Sequence, residues 1–338
     1  MRKRLLTLSV SALALVFLMA GTAVSADKVY DLRICYLAST IDPIHMGFDF
    51  FKQTIEQKTN GRIKVTLFPN KQISNSDNEN AEKVQANIVQ MSSAPTSSLA
   101  AIAKINEYKV FDYAYLFDND EELYKVIDSE IGEELSQMLM KKTGIKAFGG
   151  YNLGWCVISN NKNPIEKPED LKGLKIRTMA ADLMMETIRA FGGNPVVVNF
   201  GELFTACQQG TVDGMMTSTG LYVSDRFYEV QKYMGCTNAM PIFHIPLVNA
   251  KWYNSLPEDL RQAFDETIPL YLEAVRKFEA EFEANAIKTL REKGMVVNQY
   301  TPEQKKAFVD AAAYISTDMA DIAGKDIIAK VKAKLGKD

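Results

Sequence analysis

Histidine is scarce in this chain: only His45 and His244 occur in 338 residues. So few imidazoles leave little material for a histidine-rich metal centre or a proton relay. The four cysteines, Cys35, Cys156, Cys207 and Cys236, stand singly and form no CxxC pair. That spacing removes a redox motif and a zinc cluster from consideration. Four buried free thiols are expected, although an oxidising compartment would permit a disulfide. GxSxG, HExxH and EF-hand patterns are missing, so no metal and no cofactor is expected. No basic cluster is present, which argues against nucleic acid and anionic membrane surfaces as partners.

What the chain does have begins at its N-terminus. Arg2, Lys3 and Arg4 precede the apolar run "LLTLSVSALALVFLMAG", and "AVSA" follows with small residues. The run is too short and wrongly flanked for a membrane span, so residues 1–26 read as a signal peptide cleaved after Ala26. No cysteine stands at the cut, which favours a soluble periplasmic protein over a lipid-anchored one. Losing those three cations moves the formal charge from −3 to −6 and leaves 312 residues, enough for two domains.

The mature chain alternates strand and helix patterns. "KVYDLRICYLAS", "RIKVTLFP" and "VQMSSAP" read as strands, with helices through "HMGFDFFKQTIEQKT" and "NAEKVQANIV" between them. The rhythm restarts near residue 145 with "IKAFGG" and "GWCVISN", the latter a candidate crossing between lobes. "LKGLKIRT", "NPVVVNF" and "TVDGMMT" follow as strands, with helices through "MAADLMMETIRAFGG", "GELFTACQQ" and "LYVSDRFYEVQKY". Gly192 and Gly210 stand where helices should stop in left-handed caps. From Pro257 to Gly294 one long helix is expected, bent by Pro269. "TPEQ", Thr301 to Gln304, is a capping box opening a further helix. The acidic "DNDEE", Asp118 to Glu122, reads as a helix start complementing the macrodipole. The fold class expected is therefore α/β: two lobes, each a sheet flanked by helices, joined by crossing strands and the long kinked helix. Residues 27–154 with about 243–282 would form one lobe, and 155–242 with about 283–338 the other.

Arg177 ends a core strand immediately before a helix. Ligands of open α/β sheets collect beyond the carboxyl ends of strands, and helix amino termini favour anions. A guanidinium offers a donor fork that matches a carboxylate. Two readings stay open: Arg177 holds a ligand anion, or it pairs with a protein carboxylate such as Asp182 or Glu202. Asp42, beside His45, flanks the first strand-to-helix turn either as a ligand contact or as a helix cap. Ser93, with Ser92, follows a first-lobe strand and is either a donor to ligand or a loop cap.

The stretches "KTNGRIKVTLFPNKQI", "PEDLKGLKIRT", "FGGNPVVVNFGELFTACQQGTVDG" and "SLPEDLRQAF" resemble the solute-binding proteins of tripartite ATP-independent periplasmic (TRAP) transporters, in the dicarboxylate-binding, DctP-like group. The resemblance spans about residues 29 to 320. It implies two lobes closing on a carboxylate held by Arg177, no enzymatic activity and TRAP membrane subunits as partners; a monomer is expected. Two departures stand out. Where many members carry a second ligand arginine in a "GFRxxTNNK"-like stretch, this chain has "GWCVISNNK", placing Cys156 there beside Trp155. Where the family often reads "QENP" after "VDG", this chain has "MMTS", making Thr217, with Ser218, the expected polar contact. With Phe200 completing the set, a monocarboxylate with an apolar, aromatic or hydroxylated body fits better than a small dicarboxylate, while His244 on the strand "PIFHIPLV" is either a polar ligand contact or a satisfied core histidine. The competing readings are an ABC-type binding protein for an organic acid and an exported hydrolase using Cys156 and His244.

Overall fold

Two sheets meet where a pair of long strands passes from one to the other. The computed structural model describes residues 28–337; the expected signal peptide and its cleavage after Ala26 lie outside the described residues. The strands are β1 (Tyr30–Cys35), β2 (Ile63–Phe68), β3 (Met91–Pro95), β4 (Ile145–Ala147), β5 (Tyr151–Asn160), β6 (Lys175–Thr178), β7 (Asn194–Val197), β8 (Gly214–Ser218), β9 (Tyr233–Gly235), β10 (Pro241–Asn249) and β11 (Val296–Asn298). Their order is β2-β1-β3-β10-β5-β8-β6-β7, with β4 on β10 and β9 bridging β5 to β11. The β1–β2 and β1–β3 pairs are parallel, as the strand–helix–strand rhythm demands. β6 is likewise parallel to both β7 and β8.

β5 and β10 do the crossing. Tyr151 and Asn152 of β5 pair with His244 and Phe243 on the first-lobe side. Cys156 to Asn160 pair with Ser218 to Gly214 on the second-lobe side. Gly154 lies between these two halves with φ +108, where a Cβ would stand 2.6 Å from a carboxylate oxygen of Glu283. Only glycine fits a strand that bends there under that side chain.

The long helix runs from Glu258 to Glu292 with Pro269 inside it, as the sequence pattern requires. At 1.5 Å per residue it spans about 50 Å, long enough to touch both lobes. Gly47 lets it approach the helix Pro43–Lys58, since a Cβ there would sit 2.9 Å from the Cβ of Val275. The capping box at Thr301 forms as expected, and Gly192 and Gly210 take positive φ. Asp120 to Glu122 do open a helix, Asp120–Ile127, capped by Asn119.

Three differences have physical causes. "LKGLKIRT" is not one strand: Pro168–Leu171 is a 3-10 turn, Gly173 turns at positive φ, and the strand begins at Lys175. "LYVSDRFYEVQKY" is not one helix. The helix Thr219–Ser224 stops, Arg226 turns left-handed, and the chain continues into β9. Tyr222 and Phe227 are both buried in the second-lobe core, and the Tyr222 hydroxyl donates to Met215 O at 3.1 Å. The chain turns to deliver both rings. Finally, the helix Lys325–Leu335 was expected in the second lobe with everything after residue 282. Its lysines instead reach first-lobe helices, Lys334 to Glu130 and Lys330 to Glu134. The stretch from Thr96 to Thr143, largely unassigned by pattern, supplies the helices Thr96–Ala103 and Glu130–Thr143.

Candidate functional site

Arg177 is buried, yet it belongs to no ion pair. Its Nε donates to Val198 O at 2.9 Å, while Nη1 is buried with no hydrogen-bond partner. Among the described residues no carboxylate lies within ion-pair distance of it. Asp182 pairs with Lys109 at 2.7 Å, and Glu202 is exposed. The reading in which a protein carboxylate occupies Arg177 therefore fails. Burial pulls its pKa down to about 10, still far above any physiological pH. The residue stays charged, and a buried charge without a counter-ion costs several kcal/mol.

The guanidinium faces a cavity of about 80 Å3 between the lobes. At 10–15 Å3 per water centre, that is room for roughly half a dozen waters or one small acid. The second lobe brings Arg177, Phe200 and Thr217 to it, and the first lobe brings Ser93 and His244. The Phe200 ring centroid lies 5.9 Å from the Arg177 guanidinium carbon. Ser93 Oγ accepts from the Tyr151 hydroxyl at 2.7 Å and lies 3.4 Å from His244 Nδ1. Burial pushes His244 down to about 3, so its imidazole is neutral and brings no second charge. Of the lining residues, Arg177 is the only arginine or lysine.

Comparison with known proteins agrees with this geometry. The family model for bacterial extracellular solute-binding protein, family 7 (DctP), matches residues 34–321. The chain belongs to that family. It is a DctP-like TRAP solute-binding protein. It is 26% identical over 309 residues to the 2,3-diketo-L-gulonate-binding periplasmic protein of Escherichia coli (strain K12), covering 91% of this chain and 92% of that one. Two solved TRAP periplasmic solute-binding proteins are also similar. One, from Sulfurospirillum deleyianum DSM 6946 with bound succinate, has a TM-score of 0.85 at 28% identity, covering 90% of this chain and 99% of that one. The other, from Polaromonas sp. JS666 bound to D-erythronate, has a TM-score of 0.84 at 29% identity, covering 90% and 98%.

Within this family 7 fold, the geometry does not bring four of the expected residues to the cavity. Trp155 points outward from β5 and donates from Nε1 to Asp120 Oδ1 at 3.0 Å. Cys156, its neighbour on the opposite strand face, is fully buried but does not line the cavity. Burial first, then the charges of Asp112 and Glu283, holds its thiol well above the ordinary range. Ser218 is buried at the end of β8 without lining the cavity. Asp42 is a cap: its side chain accepts from Ile44 N at 2.9 Å. Cys156 and His244 share no hydrogen bond, and a raised thiol pKa is the reverse of what a nucleophile needs. The described residues contain no group of His, Cys, Asp or Glu able to hold a metal.

The polar loop "NKQISNSDNE" hid further lining residues, among them Asp77 and Asn78; Ser97, Ser98 and Asn199 were missed too. Asp77 opens the helix Asp77–Gln85, and Ser76 caps it by accepting from Glu79 N. Burial raises the Asp77 carboxyl to about 7, against an opposing pull from Arg177. Nothing local to the Ser76–Asp77 stretch says that it shares a cavity with Arg177.

Proposed function

We propose that this TRAP solute-binding protein captures a small monocarboxylate outside the cytoplasm, grips it through Arg177 and delivers it, unchanged, to the TRAP membrane subunits. Its signal peptide would direct export and be cleaved after Ala26. The observation carrying this reading is the buried Nη1 of Arg177, a charged donor without an acceptor on a residue that lines the interlobe cavity. A carboxylate bound there completes the fork and removes the cost of the bare cation. A second carboxylate on the same solute would meet no other arginine or lysine among the residues lining the cavity. One relative binds succinate and another D-erythronate; the single cation here supports the monoacid. Thr217, Ser93 and neutral His244 are suited to hydroxyl or carbonyl oxygens of its body. For the lobes we propose 27–154 with about 243–282, and 155–242 with the chain beyond 283, the last helix returning to the first lobe.

Mass spectrometry of acids that copurify with the native protein tests the reading, backed by a thermal-shift panel of matched mono- and diacids. Monoacids should raise the melting temperature more than diacids of the same chain length. The reverse ranking, or a bound solute with no acidic group, would sink it.

A further inference from the structure

Arg177 belongs to the second lobe, and one cation of the first lobe reaches across to the ring beside it. Lys71 follows β2 in a turn where Asn70 and Lys71 both take left-handed backbone angles, φ 56 and φ 60. L-residues other than asparagine rarely adopt that region, and two in succession need outside support. Part of it comes from Asn70 N, which donates to Ala38 O at 2.9 Å. The turn aims Lys71 at the second lobe. Its Nζ lies 2.8 Å from Asp225 Oδ1 and 4.9 Å from the Phe200 ring centroid. That same ring packs against Arg177. Asp225 is available because the chain breaks helix at Ser224, and its side chain is only 7% exposed. Two smaller bonds flank the pair: Ser39 Oγ donates to Ser224 O at 3.3 Å, and Gly201 N donates to Asn75 O at 3.2 Å.

We propose that Lys71 is a positioning residue for the anion site: paired with Asp225 and seated on Phe200, it fastens the first lobe over the ring that backs Arg177. Opening the cleft then has to separate Lys71 from Asp225 before Arg177 meets water. A partly buried pair of this kind matters through its closed geometry more than through surface attraction.

The test needs no solute, so it stands or falls separately from the monocarboxylate reading. Phenylglyoxal modifies arginine side chains, and peptide mapping follows each site in the intact mature protein. Lys71→Met keeps the apolar stem and loses the charge. It should speed modification of Arg177 several-fold, leaving the other arginine sites unchanged. Lys71→Arg should restore the protection, and Asp225→Asn should reproduce the loss. As a second measurement, a carbodiimide should join Lys71 to Asp225. The activated carboxylate is attacked by the amine, an amide forms and the urea leaves. Equal Arg177 reactivity in wild type and Lys71→Met would overturn the proposal, as would failure of Lys71→Arg to rescue or absence of the Lys71–Asp225 amide.

Discussion

Two buried ionisable side chains, Arg177 at the end of β6 and Glu279 on the long helix, share one defect and resolve it differently. Each has a buried polar atom without a hydrogen-bond partner, Nη1 in one and Oε1 in the other. Glu279 lines no part of the interlobe cavity, and burial, reinforced by Asp42, Glu283 and Asp120, raises its carboxyl well above the usual range. Burial thus favours its neutral, protonated form. A guanidinium has no such exit, since even at about 10 it remains a cation at neutral pH. Under the proposed function its charge is met by an anion from outside, and it is the one of the two that lines a cavity. An unsatisfied buried group marks a binding site only when it cannot neutralise itself.

The largest expected effect separates the two residues directly. Arg177→Ala should weaken solute binding by about 3–5 kcal/mol, by analogy with breaking a buried ion pair. Arg177→Lys should also be damaging, because an ammonium cannot fork onto a carboxylate. Arg177→Met sharpens the contrast. It removes an uncompensated cation, so the empty protein should melt higher while losing its response to the copurifying acid. Calorimetry showing wild-type affinity in Arg177→Ala, or a lower melting temperature in empty Arg177→Met, would break the comparison.

A middle-sized effect is expected where the long helix touches the crossing strand. Gly154→Ala places a Cβ against the Glu283 carboxylate at positive φ. The Glu283 carboxylate also accepts from Gly220 N at 2.7 Å, tying the helix to the second lobe. A destabilisation of about 1–3 kcal/mol is expected from overpacking, read as a lowered denaturation midpoint with an unchanged slope. No loss of stability would mean that Glu283 is free to move aside and does not brace the crossing.

What could be read from the sequence follows the same division. The Arg177 strand end, the Pro269-containing helix and the Thr301 capping box were legible, because each depends on neighbours within a few residues. The facing of β5 was not. Alternation puts Trp155 and Cys156 on opposite sides, but only tertiary packing decides which side meets the cleft. Trp155 went outward to Asp120, and Cys156 went into the core. Asp77 and Lys71 were hidden for a related reason, since each acquires its role from a residue more than 90 positions away. The break after Ser224 was invisible too, because it depends on where Tyr222 and Phe227 find space.

The smallest effect is expected at Glu279, and its sign carries the comparison. Its folded-state pKa is raised, so the folded protein binds more protons than the unfolded chain above the ordinary glutamate range. Stability contributed by the protonated form is fully present below about pH 4.3 and declines as pH rises toward the folded value, by at most about 1.4 kcal/mol per unit. Glu283, Asp42 and Asp77, each raised to about 7, slope the same way. Glu279→Gln imitates the protonated acid. It should leave stability at pH 4 within about 1 kcal/mol of wild type and flatten the decline between pH 4.5 and 8, without changing solute affinity. Denaturant midpoints across that range decide the matter. If Glu279→Gln keeps the wild-type slope, the carboxyl is ionised in the folded protein, and its burial would then demand a counter-ion just as Arg177 does.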